Sequence, residues 1–382
     1  AEVLQAQVKI SESQTPGYTE LEPAWRRLLF NQFHDILPGS GTIETREFAL
    51  GEFQKLMASA VTSSSSSMNS LCANMDTSAY AGVEKSGDMA MGAGAGFGAN
   101  PSACFRFTTA EAGSGAERLY TAFNTTQYPR DNEAVEFILW DWQDDPERLQ
   151  VKDSAGRILP HQVLERGVFY WGHHFLRVAV WLNIPPIGYV TCHVSALPPK
   201  HAEIRQCHEP RCDKITDSNL VLENQQIKAV FRRQDMLLLS LYYKAEKTEL
   251  IDPCRPAALF QLLTEDPGNA MTSWRVGTIM AEKRLNEDCP VFLKECCLTG
   301  QRKWITYEIP FLHSHLKVTA TLNEGSSLLR FFVQADWQEI GSPQEGIPQL
   351  RFSIPCGYSV SNYRYDIPFG SIDRAAIPQD VP

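Results

Sequence analysis

One helix and its abrupt end organise the sequence: residues Trp25–Thr42 read WRRLLFNQFHDILPGSGT. Apolar side chains recur there with the spacing i, i+4, i+7, i+8 and i+12, at Leu21, Trp25, Leu28, Leu29 and Phe33. This spacing predicts an amphipathic helix, because these positions fall on one helical face. Pro38 and Gly39 then end the helix. We therefore expect His34 and Asp35 in the last helical turn, where their side chains can point into a cleft.

His34 and Asp35 suit two kinds of chemistry. A neutral imidazole is a good ligand for zinc or a similar ion, and a neighbouring carboxylate can hydrogen-bond a sugar hydroxyl or orient a metal ligand. A purely structural interpretation is also open, because a histidine in a last turn suits the helix dipole and Asp35 could be a solvated turn residue. One His and one Asp do not by themselves define a metal site.

The segment Asn31–Gly41 resembles the motif that closes the metal site in glycoside hydrolase family 38, the retaining α-mannosidases. The resemblance is closest to the cytosolic and bacterial branch, and Phe33 stands where Golgi and lysosomal relatives often have a second histidine. It implies that His34 is one of four ligands of a divalent ion, zinc or cobalt. It also implies that Asp35 contacts the mannose in the −1 subsite.

The same resemblance implies that the catalytic machinery is incomplete in these 382 residues. A retaining glycosidase uses two carboxyl groups about 5–5.5 Å apart. In the family, the nucleophilic Asp and the other three metal ligands lie on an N-terminal barrel whose motifs this sequence lacks. The chain begins with Ala1, so we expect part of a longer protein, with no catalytic residue in this part and no activity alone. Its expected partners are that barrel and a mannose-containing oligosaccharide, and homo-oligomerisation is open.

The overall composition and charge of the chain disfavour some classes of binding partner. Apolar residues make up 43% and charged residues 21% of the chain, which is ordinary for a globular protein. The formal net charge of −10 disfavours nucleic acid and anionic membranes, because both require concentrated Lys and Arg. No apolar run approaches the length of a membrane span, and residues 1–20 do not read as a signal peptide.

Ten cysteines are too dilute in this chain for a disulfide framework. We expect mostly free thiols in a reducing compartment and therefore a cytoplasmic protein, in which the acceptor pattern Asn124-Thr-Thr stays unused. Residues 200–218 contain His201, Cys207, His208 and Cys212. Their spacing matches no common zinc knuckle, so a solvated connector competes with a zinc site there.

The order of patterns predicts an α+β multidomain chain, a small helical bundle followed by two antiparallel β-sandwich domains. The expected divisions are a helical domain (1–76), a Gly/Ala-rich loop or linker (77–117) and a small sandwich (118–199). A connector (200–218) and a large sandwich (219–382) follow. The large sandwich is expected to be truncated at its C-terminus. A non-catalytic carbohydrate-binding β-sandwich protein is the alternative to a mannosidase.

Within the large sandwich, residues 220–231 and 237–243 predict one hairpin, and residues 318–322 and 328–337 predict another around Asn323–Gly325. The segment Tyr365–Gly370 resembles a late segment of the family, but residues 371–374 lack the His and Pro usual there. Trp274 lies where relatives have a loop near the active site. It is a candidate to stack on a sugar ring, and a core Trp is the competing interpretation.

Overall fold

A computed structural model describes residues 1–12, 21–80, 117–142, 144–168, 174–197, 217–268, 276–367 and 370–375. The chain divides into two compact units, Ala1–Cys207 and His208–Pro382. Helices at the start of the first unit are followed by antiparallel sheets in both units. The α+β fold class predicted from the sequence is thus confirmed, whereas the finer domain boundaries stay predictions.

Three helices form the N-terminal part of the first unit: α1 (Glu2–Ser11), α2 (Glu22–Asn31) and α3 (Ile43–Ala73). The long helix α3 contacts both shorter helices. The Gln5 side chain donates a hydrogen bond to the Ser63 hydroxyl over 2.8 Å, and the Trp25 indole donates to Glu2 over 2.7 Å. None of the described helices combines the length and the apolar character that a bilayer-crossing segment requires.

The described strands of the first unit form two small antiparallel sheets, ordered β1-β6-β3 and β2-β5-β4. Their bounds are β1 Arg118–Asn124, β2 Arg130–Trp140, β3 Leu149–Lys152, β4 His161–Val168, β5 His174–Ile184 and β6 Gly188–Ala196. Alternate residues of β5, among them Val178 and Val180, are fully buried in a core shared by both sheets. The Tyr80 hydroxyl donates to the Thr191 carbonyl over 2.8 Å, which ties the segment after α3 to this sandwich.

The described residues of the second unit form two four-stranded antiparallel sheets, one three-stranded antiparallel sheet and a two-stranded hairpin. The strand orders are β10-β9-β8-β7, β13-β14-β15-β16, β12-β11-β17 and β18-β19. The first seven strands are β7 Asn219–Glu223, β8 Ile227–Arg232, β9 Leu238–Tyr243, β10 Thr248–Glu249, β11 Leu259–Glu265, β12 Ile279–Arg284 and β13 Phe292–Cys297. The others are β14 Arg302–Phe311, β15 Ser314–Asn323, β16 Leu329–Asp336, β17 Ile347–Ser353, β18 Asn362–Ile367 and β19 Gly370–Ala375. One core joins the sheets and includes fully buried Leu220, Phe231 and Tyr307.

The predicted hairpin is confirmed by the antiparallel pairing of β8 with β9, but its first arm is wrong, because residues 220–231 do not form one strand. A turn at Asn224 separates β7 from β8, because the Asn224 carboxamide oxygen accepts from the backbone N–H of Gln226 and of Ile227, at 2.8 and 2.9 Å. The second predicted hairpin is confirmed: β15 and β16 pair on either side of a turn with Gly325 at a φ of 76°.

Candidate functional site

Helix α2 ends earlier than the sequence pattern suggests. Its last residue is Asn31, and the following Gln32 has φ −82° and ψ 7°, outside the helical conformation. His34 and Asp35 therefore lie beyond the helix and not in its last turn, which corrects the expected placement. The chain there forms a tighter bend, in which the backbone N–H of Ile36 donates to the Phe33 carbonyl over 2.9 Å.

The bend from residue 32 to residue 41 is fixed by backbone geometry around Asp35. The Asp35 carbonyl accepts from the backbone N–H of Gly41 at 3.1 Å and lies 3.4 Å from the Ser40 hydroxyl. Gly39 has a φ of 75°, a conformation that residues with a Cβ rarely adopt. A Cβ at Gly41 would lie 3.3 Å from the Thr45 Cγ2 atom. The Pro-Gly-Ser-Gly run thus returns the chain tightly into α3.

Two hydrogen bonds at the start of α3 stabilise the carboxylate of Glu44. The N-cap residue Thr42 has extended backbone geometry. A hydrogen bond from its own backbone N–H and one from the Thr42 hydroxyl lower the pKa of Glu44 below its usual value. A carboxylate in the first turn is also favoured by the helix dipole.

His34 presents its side chain to solvent. The imidazole is 75% exposed and the Asp35 carboxylate 37%, with Nε2 of His34 3.4 Å from Oδ2 of Asp35. The Phe33 ring lies beside the imidazole, with centroids 4.2 Å apart and planes tilted by 48°. An exposed pair at this distance contributes little to stability, so both side chains are free to reorient toward a ligand.

The donor set at His34 suits a divalent ion but is incomplete. Imidazole nitrogen and carboxylate oxygen are ligands that zinc accepts. Within the described part of the chain, no group of three or more His, Cys, Asp or Glu side chains is placed to hold a metal ion. A complete site at His34 therefore requires ligands from outside the described residues.

Apolar side chains surround His34 in sequence and face solvent. Exposed fractions exceed half for residues at the end of α2, in the bend and at the start of α3, namely Leu29, Phe30, Phe33, Leu37, Ile43 and Phe48. We call these six residues the apolar rim. The described residues cover the apolar stripe read from the sequence only in part: Leu21 and Leu28 are half-buried, whereas Trp25, Leu29 and Phe33 are exposed. Contiguous exposed apolar patches are typical of interaction surfaces, so these six side chains are candidates for one.

Asn31, three residues before His34, is a buried polar residue to which sequence reasoning gave no role. It is only 1% exposed, and neither atom of its carboxamide has a hydrogen-bond partner among the described residues. Buried polar groups without partners are uncommon in folded proteins and call for an explanation. The sequence signal was available, since Asn31 opens the motif that contains His34.

Several other candidates lie where the structure gives no description. Trp274, the proposed sugar-stacking residue, is outside the described residues, and so are Cys207 and Cys212 of the competing zinc site. Their roles stay predictions. The seven cysteines that the structure does describe are free thiols, as expected: Cys72, Cys192, Cys254, Cys289, Cys296, Cys297 and Cys356.

The structure describes two further segments discussed in the sequence analysis, Asn124 and residues 371–374. Asn124 of the glycosylation pattern is 4% exposed and donates to the backbone carbonyls of Tyr128 and Pro185, at 2.7 and 3.0 Å. Its amide is therefore engaged in the fold and not presented to a modifying enzyme. Residues 371–374 lie in β19, an exposed strand that pairs with β18.

Two protein-family models match this chain, one in its N-terminal part and the other in its C-terminal part. The model of the alpha mannosidase middle domain matches residues 1–71, which contain α1, α2, His34 and all but the last two residues of α3. The model of the glycosyl hydrolases family 38 C-terminal domain matches residues 222–381. Together the two models cover more than half of the chain. The chain belongs to glycosyl hydrolase family 38.

A solved structure supports the same fold assignment. A family 38 glycosyl hydrolase protein from Enterococcus faecalis matches with a TM-score of 0.69 at 14% sequence identity. The match covers 99% of this chain and 45% of that protein, so this chain spans less than half of its relative's length. No curated protein matches the chain. At this identity the structural match is informative about fold, whereas membership of the family follows from the two domain models.

Proposed function

We propose that this family 38 chain is part of a retaining α-mannosidase that removes terminal α-mannosyl residues from oligosaccharides. His34 supplies one ligand to a divalent ion, zinc or cobalt, and Asp35 contacts the mannose in the −1 subsite. An ion held there by His34 and ligands from another domain would supply Lewis-acid orientation of the sugar hydroxyls and would favour distortion of the ring toward the transition state. The nucleophile and the remaining ligands belong to a preceding domain of the longer protein.

The exposure of His34 is the observation that carries this proposal. An imidazole packed in the apolar core could not reach ligands on another domain, whereas His34 is 75% exposed on a bend of fixed backbone geometry. Asp35 is adjacent, and its carboxylate is a hydrogen-bond acceptor for a sugar hydroxyl. Each side chain therefore needs only to turn, and not to unfold, in order to meet a ligand.

The apolar rim supports a docked domain around His34. Its six side chains are each more than half exposed. Full burial of a fully exposed apolar side chain contributes roughly 1.5–3 kcal/mol, so completing the burial of each of these contributes about half of that. The family model matched here is named a middle domain, which is consistent with another domain before it. Docking on the rim would exclude water from the ion and would strengthen electrostatic interactions there.

The free thiols of the described cysteines support the cytoplasm as the place of action, since oxidising compartments favour disulfides. A non-catalytic carbohydrate-binding protein is the alternative. It requires no metal at His34 and no preceding catalytic domain, and is therefore separated from the enzyme by the following experiment.

The test is hydrolysis of an aryl α-mannoside by the longer protein that contains this chain. We expect His34→Ala to lower kcat/KM by at least about a hundredfold, because loss of residues that only support metal ligands already costs roughly 10–100-fold. The matched control is His315→Ala, because His315 is also exposed and lies 3.7 Å from the carboxylate of Asp336. This control should keep full activity.

Three results would contradict the proposal. They are equal activity of the His34 and His315 variants, absence of α-mannosidase activity in the longer protein, and turnover of the aryl α-mannoside by the 382-residue chain alone. The last result would place the catalytic carboxyl groups within this chain.

A further inference from the structure

A groove of about 830 Å³ opens in the second unit. One wall is the start of β7 and another is the turn from Arg232 to Gln234 between β8 and β9, while the start of β13 forms the third. β7 and β13 are each the outer strand of a four-stranded sheet. The groove therefore lies at the edges of two sheets that share one core.

The turn beside the groove is held rigidly. Arg232 and Asp235 form an ion pair with an Nη2–Oδ2 distance of 2.6 Å, and the Arg232 Nε–H also donates to both Asp235 oxygens. The buried Asn286 side chain donates to the Asp235 carbonyl over 2.9 Å. The Arg233 backbone N–H donates to the Ser218 carbonyl over 2.9 Å, which joins two walls of the groove. A binding surface with a fixed shape loses little conformational entropy when a ligand binds.

The groove presents polar side chains that the fold itself does not use. Among the described residues, no hydrogen-bond or ion-pair partner is found for the side chains of Asp217, Asn219, Arg233 and Gln234, all of which line the groove. They offer both donors and acceptors. The charge of Arg232 is already paired with Asp235, so the lining offers a ligand one cationic and one anionic side chain, Arg233 and Asp217. This balance disfavours phosphates and other strongly charged ligands.

An exposed aromatic ring completes the chemistry. Phe292, at the start of β13, lines the groove and is 51% exposed. An apolar ring face beside donors and acceptors of balanced charge suits a ligand with apolar faces and many hydroxyl groups. We propose that this groove binds a neutral oligosaccharide, with Phe292 against a sugar ring and Arg233 and its polar neighbours on the hydroxyls. The proposal does not depend on the role of His34.

The test is isothermal titration of the 382-residue chain with mannotriose, maltotriose and cellotriose. It is carried out with EDTA and in the His34→Ala background, so that sugar contacts at a metal ion cannot contribute. We expect saturable binding of at least one trisaccharide. Phe292→Ala should weaken it about three- to tenfold through loss of the ring contact, and Arg233→Ala about tenfold through loss of a charged hydrogen-bond donor.

Controls separate binding from folding. Phe332→Ala removes a ring that is 63% exposed, somewhat more than Phe292, on β16 at the other edge of the same sheet, and should bind like the parent. Phe292→Leu keeps apolar bulk without a ring face and should still lose affinity. Absence of saturable binding with all three sugars would overturn the proposal, as would parental affinity in the Phe292 and Arg233 variants. Competition by inorganic phosphate through Arg233 would instead identify an anion site and would equally overturn it.

Discussion

The bend after α2 and the turn after β7 both reverse the chain with polar residues, but they use those residues in opposite ways. Asn224 is 6% exposed, accepts two backbone N–H groups and donates to the carbonyls of Asn323 and Ser326, each at 2.7 Å. His34 is 75% exposed. In the described structure, the polar group beside its imidazole is the Asp35 carboxylate, with His34 Nε2 3.4 Å from Asp35 Oδ2. A turn whose polar groups bond within the fold serves stability, whereas a turn whose polar groups face outward is available for function.

The largest expected effect on stability lies at Asn224. Asn224→Ala should lower the free energy of unfolding by about 2–4 kcal/mol, because it leaves buried backbone groups without partners. His34→Ala should change it by less than about 0.5 kcal/mol, as surface substitutions usually do. Urea unfolding measures both values, and hydrogen exchange assigns each to its unit. Equal destabilisation by the two substitutions would remove the contrast between the turns.

Substitutions at two glycines test whether the backbone of the bend requires a positive φ. A Cβ would meet no atom within 4 Å at Gly39 or at Gly51, but only Gly39 has a positive φ. Gly39→Ala should therefore destabilise the first unit by about 1–2 kcal/mol, whereas Gly51→Ala, inside α3, should stabilise it by about 0.4–1 kcal/mol. Thermal unfolding with hydrogen exchange distinguishes the two. If both substitutions stabilised the unit, strain at Gly39 would be excluded.

A small change in stability is also expected at Asn31. Asn31→Leu should alter the free energy of unfolding of this chain by less than about 1 kcal/mol, or raise it, because it removes a buried carboxamide without partners. Denaturant unfolding measures the change. A large loss of stability would show that Asn31 is bonded within this chain.

Local signals predicted the elements that depend on neighbours in sequence. The turn Asn323–Gly325 correctly predicted the hairpin of β15 and β16. Pro38 and Gly39 predicted that α2 ends, but placed its end too late, because the helix already ends at Asn31. The same reasoning failed at Asn224, because its carboxamide is completed by Asn323 and Ser326, about a hundred residues later. A turn stabilised by such distant carbonyls leaves no periodic signature in a short window.

Exposure was the second property that the sequence could not provide. The stripe containing Leu29 and Phe33 predicts a helix with an apolar face, but a pattern does not say whether that face is covered by the same part of the chain. The free side chains of Arg233 and Phe292 in the groove were likewise invisible, because they come from different strands. The predicted roles of His34 and Asp35 came from resemblance to a family, and the structure adds their exposure and their fixed backbone.

The central claim is that His34 is a metal ligand, and metal analysis of the longer protein tests it most directly. Elemental mass spectrometry should find one zinc or cobalt per chain in the parent and in His315→Ala, and one fewer in His34→Ala. An unchanged metal content in His34→Ala, in protein that remains folded by hydrogen exchange, would contradict the account.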